Sequence, residues 1–472
     1  MPFVKEQLST EMLLLSFIYA LGAVSVVLIV LALCFVDSGL VRRKNMLDTW
    51  IAKIIASLIA GGGTMVAGIG IWNWQFNEAF GVPNPLWQAL KDWWIGGQFL
   101  THYSGELAFE ALPEADVQQV FAVFFVTFSL GTLALIHTGA MERMRHAPLY
   151  VMALVIGLVL SPLVAYFCWG PVGPLTNQGT HDFDGIFPLY IFAGTWVLVL
   201  SWRLGPRLGA FKPHPSGTKP VGNNIALVGA GVLLIMFALP FICIASTWIA
   251  PGAGVFGISF TDTGIGIILE NVFAAYIGGA IVGGAIAYRR KEPQWALLGP
   301  LSGAVICGTL FDVGMPWEVF LISLLGPVVA YGTAALMRRW QIDEPKVIPL
   351  ALGPGIAGAL ICGFVEWGTK TGGYPGLEGD YALQHATITP WWQLAGVVLT
   401  MLLAAVPCLL ICLAYERTKK GLRVSEAEEL AGLDQTYWEV DNYGEEPPLT
   451  LTGNGAAASS GKEGEPPVVT AP

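Results

Sequence analysis

The stretch DFDGIFPLYIFAG, residues 182–194, has a distant counterpart in DEPKVIPLALGPG, residues 343–355. In each, an Asp is followed six residues later by Pro-Leu (Pro188-Leu189 and Pro349-Leu350) and then by Tyr190 or Ala351. Both copies lie at the edge of a long apolar run. The chain around them has 472 residues, of which 54% are hydrophobic and 12% charged. A soluble domain carries about twice that charged fraction. With a mean hydropathy of +0.62, the composition points to a polytopic membrane protein.

Apolar runs of spanning length fall at about 12–36, 49–71, 117–140, 148–168, 184–202, 223–249, 258–288, 294–312, 316–337, 347–366 and 390–414. Backbone in a bilayer must satisfy its own hydrogen bonds, so these eleven segments are expected as helices. The first is kept as a span, since MPFVKEQLSTEM has no cleavable-signal character. The basic segments VRRKN, MERMRH, WRLGPR with KPHPSGTK, YRRKEP, MRRWQIDEPK and ERTKKGLR occur at every second connection. This places the N-terminus outside and the C-terminus in the cytoplasm, as an odd number of spans requires. The net charge of −10 reflects acid after Ser425 and between Glu78 and Asp116. It argues for solvated ends, not for an acidic partner. The Trp-rich connection 72–116 suits an interfacial belt or a re-entrant helix. Residues 447–472, rich in Pro, Gly, Ser and Ala, are expected to be disordered.

Asp182 stands at the outer side of the fifth run and Asp343 at the cytoplasmic side of the tenth. One spacing entering the membrane from opposite faces is the mark of an inverted five-plus-five repeat with a final extra helix. Such repeats place a substrate path at their interface.

Six segments, in order and with matching sidedness, resemble the ammonium transporter family (Amt/Mep/Rh). They are GLVRRKNMLDTW, HTGAMERMR, DFDGI with its following AG, LLGPLSGAVICG, IDEPKVIPLALGPGIAGALICG and GLRVSEAEELAGLDQTYW. The resemblance covers about residues 12–446. It implies a transmembrane domain over 1–415, a cytoplasmic regulatory motif over 416–446, a homotrimer with one pore per subunit, and a place in the cell membrane. It also implies an outer vestibule in which Phe128, Trp169 and Ser246 receive a cation and Asp182 organises the site. A ring face attracts a desolvated cation, and a hydroxyl offers it an acceptor. The second gating ring beside Phe128 falls on Ile242, with Phe241 adjacent.

The family's two pore histidines fall on Tyr190 and Ala351, so neither imidazole is present. None of the six histidines (His102, His137, His146, His181, His214, His385) occupies either position. A histidine pair titrates near neutrality, whereas tyrosine has one hydroxyl with a pKa near 10. Proton transfer through this pair is therefore broken. Tyr190 and Ala351 form a compensated large–small pair, or they are packing residues of a closed pore. Pro188 and Pro349 are expected to bend both helices.

Glu270, Asp262, Asp312 and Glu366 are expected at a solvated outer rim, or as attractors of cations to it. His137 reads as a packing histidine. His102, His181 and His385 all lie outside, where a three-histidine metal site is the less favoured reading. The seven cysteines have no metal-type spacing, and none implies a disulfide framework. No cofactor, resident metal, nucleic acid or enzymatic motif is indicated. Two functions compete. One is transport of ammonium, ammonia or a related small solute through a pore without histidines. The other is a non-conducting sensor or assembly subunit, whose C-terminal motif would contact a regulatory protein.

Overall fold

The computed structural model describes residues 10–107, 114–250 and 254–440. The expected disordered tail, 447–472, lies outside them. Among the described residues, ten helices are long and apolar enough to cross a membrane. They are α1 (Thr10–Leu40), α2 (Arg43–Ala79), α3 (Ala115–Ala140), α4 (His146–Cys168), α5 (Ile186–Leu204), α6 (Ile225–Ala245), α7 (Ile265–Arg290), α9 (Pro316–Arg339), α10 (Ile348–Val365) and α11 (Pro390–Glu416). The eighth expected span is shorter: α8 covers only Gln294–Cys307. The run 294–312 reads as one apolar segment, but the helix stops at Cys307 and residues 308–313 continue as turns.

The inverted repeat is visible in the packing. Helix α2 contacts α3 and α4, as α7 contacts α8 and α9. Helix α5 contacts α3, as α10 contacts α8, and α1 lies along α6. Helices α5 and α10 run in opposite senses. Arg207, just beyond the end of α5, binds Asp343, just before the start of α10.

Helices approach closely where side chains are smallest, the usual solution where apolar surface gives no driving force between helices. Gly279 and Gly283 on α7 interlock with Gly299 and Gly303 on α8; a Cβ on Gly299 would stand 2.6 Å from the Gly279 carbonyl oxygen. On the outer surface, Phe17, Leu58, Leu233, Phe237, Phe273 and Leu410 are exposed, as suits a face toward lipid.

The 72–116 connection is largely helical. Helix α2 continues to Ala79, and a short helix, Pro85–Trp93, folds back on it. Gly70 permits this approach, since a Cβ there would lie 2.8 Å from Leu90 Cα. A small antiparallel sheet of Thr247–Ala250, Gly254–Gly257 and Asp262–Thr263 follows α6. It delays the start of α7 to Ile265, whereas the apolar run begins near 258.

Candidate pore and its two ends

Helices α5 and α10 open in the same way. Asp182 accepts hydrogen bonds from the backbone N–H groups of Ile186 (2.8 Å) and Phe187 (2.9 Å). Glu344 accepts from Lys346 (3.0 Å), Val347 (2.9 Å) and Ile348 (2.7 Å). A helix start leaves N–H groups without intrahelical partners, and a carboxylate there also meets the positive end of the helix dipole. Each helix then begins with a wide π-type turn containing its proline, Ile186–Ile191 and Ile348–Leu352. The expected distortion at Pro188 and Pro349 takes this form. Such turns recur at functional sites. Gly185 precedes the first, at φ +74°, and a Cβ there would lie 3.3 Å from the Phe128 ring.

The caps alter the register of the repeat. Counting from Asp182 to Asp343 pairs Tyr190 with Ala351. The acid that caps α10 is Glu344, one residue later, and measured from the caps Tyr190 pairs with Leu352. Asp343 serves elsewhere, binding Arg207 and Arg143. Leu352 is buried, and Gly194 leaves room for it. Ala351 instead lines a central cavity together with Tyr190.

That cavity, about 100 Å³, lies among α1, α3, α5, α6, α8 and α10. Leucine, isoleucine and valine make up most of its wall. Phe128 and Ile242 line it, and Tyr190 directs its hydroxyl to Asp184 Oδ2 at 3.4 Å. Phe241 does not line it; its ring packs against lipid-facing Phe237 at 5.6 Å. Phe128 also meets Trp169, with ring centroids 5.1 Å apart. Trp169 is completely buried among Trp72, Phe121 and Phe125. Its indole N–H donates to the Phe183 carbonyl at 3.3 Å. Ser246 is buried too, and its hydroxyl donates to the Ile242 carbonyl at 3.1 Å. Phe128 and Trp169 are thus in contact within a packed aromatic cluster.

The opposite end of the cavity carries Lys346. Its ammonium meets Asp37 Oδ1 at 2.5 Å, while Lys53 holds Asp37 Oδ2 at 2.7 Å and Thr138 donates to the same oxygen at 2.9 Å. Asp37 and Lys53 are fully buried. These groups escaped the sequence reading, because residues 37, 53 and 346 are brought together only by folding. Asp184 escaped it too. A weak signal existed: measured from each cap, two residues on, stands a charged residue, Asp184 or Lys346.

Beyond Lys346, the basic connections gather. Glu142 binds Arg42 (2.8 Å) and Arg207 (2.6 Å), and Arg207 binds Asp343 (2.7 Å). Burial by itself would raise the Glu142 carboxyl, but the guanidiniums of Arg207 and Arg42 outweigh it and hold it at about 2. Asp343 is depressed against burial in the same manner, chiefly by Arg207. Burial pushes the Arg143 guanidinium down to about 10 despite Asp343. The segment after α11 is strapped to this end. Arg145 binds Glu428 at 2.8 Å, Arg423 binds Glu429 at 2.6 Å, Asp434 accepts the Asp48 N–H at 2.7 Å, and Tyr437 stacks on His146 with centroids 3.9 Å apart.

Asp312 departs from expectation. It is buried, not at a solvated rim, and binds His181 at 3.0 Å and the Thr261 hydroxyl. Glu270 and Asp262 are exposed, and Glu366 is half-buried. His137 is buried in the packing of α3. His102 and His385 are both exposed, and His385 contacts the Asn177 carbonyl at 3.1 Å. Among the described residues no three His, Cys, Asp or Glu side chains are placed to hold a metal, so His102, His181 and His385 form no such group.

The model of the Ammonium Transporter Family matches residues 17–443. The chain is 28% identical over 328 residues to ammonium transporter Amt1 of Methanocaldococcus jannaschii, covering 68% of this chain and 76% of that one. It is 26% identical over 417 residues to a putative ammonium transporter of Methanothermobacter thermautotrophicus, covering 86% and 92%. In structure it resembles a protein described as a sensor Amt protein, with a TM-score of 0.69 and 17% identity over 91% of this chain and 99% of that one. It also resembles Saccharomyces cerevisiae Mep2, with a TM-score of 0.64 and 18% identity over 89% and 92%. At these identities the structural likeness speaks for the fold.

Proposed function

The chain belongs to the ammonium transporter family, a family of membrane transporters and not of enzymes, and from that premise we propose that it moves ammonium, ammonia or a related small solute through a pore without histidines. The observation that carries this reading is the cavity at the interface of the two inverted halves, with Phe128 at one end and Tyr190 on its wall. Inverted-repeat transporters place their substrates at this interface. The apolar wall favours a neutral solute through its middle, since an ion there loses its hydration without compensation. Phe128, Trp169, Ser246 and Asp182 form the receiving side, and Phe128 with Ile242 forms the gate. Eleven spans, an outer N-terminus, a cytoplasmic regulatory motif at 416–446, a homotrimer and a plasma-membrane setting complete the reading.

A second function is favoured by one observation. Lys346 places a buried ammonium at the far end of the cavity, which opposes passage of a cation and suits a protein that senses without conducting. Proteoliposomes decide between the two. Ammonium-dependent current or internal pH change above that of empty vesicles supports transport. Silence of the wild type, with conduction after Tyr190→His combined with Ala351→His or Leu352→His, supports the sensor.

A further inference from the structure

We propose that Asp184 and Tyr190 form a binding site for a small ammonium-type cation within the cavity, held by a proton when the cation is absent. The inference deepens the transport reading and rests on it only for the identity of the cation.

Buried carboxylates elsewhere in the described residues are compensated. Asp37 has two lysines, Glu142 and Asp343 have arginines, Asp312 has His181, and Asp182 and Glu344 have backbone N–H groups. Asp48 has His146, Glu429 has Arg423, and Asp434 has two backbone N–H groups. Asp184 stands apart. It is 2% exposed, and its side chain has only the Tyr190 hydroxyl at 3.4 Å and the Cys243 thiol at 3.5 Å. Both contacts are long, and neither donor is charged. A buried carboxylate in this position is protonated or holds a cation, because the bare charge is too costly in an apolar setting.

The surroundings provide the rest of a cation site. Asp184 lines the cavity beside Phe128, whose ring can face a cation, and Tyr190, whose oxygen can accept a hydrogen bond. The cavity volume of about 100 Å³ holds a guest of a few heavy atoms. Its one cationic lining residue, Lys346, is at the other end and repels the guest back toward Asp184. The titratable groups around Asp184 are Asp182 on its own segment, Tyr190 on α5, Cys243 on α6 and Tyr276 on α7. Binding is an exchange: the cation enters, the carboxyl O–H bond breaks, and its proton leaves to solvent, so charge within the cavity is unchanged.

The test uses full-length protein in detergent with methylammonium chloride as probe. Infrared difference spectra of the wild type should show loss of a protonated-carboxyl band on addition of the probe. Asp184→Asn should abolish that change and weaken methylammonium binding by about tenfold or more in calorimetry. Asp184→Glu should recover part of it, and Glu378→Gln, an exposed control, should bind as the wild type. A wild type that binds no methylammonium, or binds it without a carboxyl change, overturns the proposal even if the Asn variant fails to fold. So does an Asp184→Asn protein with wild-type affinity. Flux in proteoliposomes separates this from the transport reading. Wild-type flux together with wild-type affinity in Asp184→Asn removes the site and leaves transport, whereas binding through Asp184 without wild-type flux keeps the site and removes transport.

Discussion

The openings of α5 and α10 are built alike and charged oppositely. Each has a carboxylate cap, a wide proline-containing turn, and a charged residue two positions after the cap that lines the same cavity. At α10 that residue, Lys346, is tied to Asp37 and through it to Lys53. At α5 it is Asp184, with a phenol and a thiol for company. Symmetry of the backbone therefore does not carry over to the electrostatics. One end of the cavity is a finished ion network that holds three helices together, while the other is open to a guest.

The largest effect should come from breaking the finished end. Asp37→Asn leaves two buried lysines without their carboxylate, and losing one partner of a buried pair costs about 3–5 kcal/mol. The expected outcome is a clear fall in the thermal unfolding midpoint of the purified protein. An unchanged midpoint would show that this end is no better compensated than the other.

Acid should act on the network beyond it. The Glu142 carboxyl lies at about 2 in the folded protein against an ordinary 4.5. A depressed carboxyl adds stability that is complete above the unfolded value and is lost as pH falls from about 4.5 toward 2. The shift corresponds to roughly 3 kcal/mol. Denaturation midpoints measured from pH 7 down to pH 3 should fall steeply at the acid end for the wild type and less steeply for Glu142→Gln.

The caps offer a smaller and more local comparison. Glu344→Gln and Asp182→Asn should each cost about 1–2 kcal/mol, as loss of a charged N-cap does. Glu344 serves three N–H groups and Asp182 two, so hydrogen exchange should quicken more at Ile348 than at Ile186. Equal or reversed quickening would break the equivalence of the two caps. The smallest effect belongs to Phe241→Ala, which should alter stability by no more than about 0.5 kcal/mol and leave proteoliposome flux unchanged. Ile242→Ala, on the cavity wall, should change flux.

The placement of Phe241 and Ile242 shows where sequence reading stops. Helix α6 is apolar almost all round, so periodicity carries no phase that tells lipid from cavity. Neighbouring helices set that rotation. Similarly, Asp343 and Glu344 are adjacent acids, and only the backbone N–H groups at the start of α10 select the second as the cap. Asp312 reads as a rim residue because it follows an apolar run, yet the turns after α8 fold it inward onto His181.

Helix-length apolar runs, alternating basic connections and the doubled acid–proline spacing are local properties, and they sufficed for a membrane helix bundle with inverted halves. Each follows from the demand that spanning backbone bond to itself and that charge stay out of lipid. The compensation of buried charge is not local. Whether Lys346 finds Asp37, and whether Asp184 finds anything, depends on contacts between segments up to 309 residues apart. Only the packed helices decide those, because a side chain's electrostatic partners are whatever the fold brings within hydrogen-bonding distance.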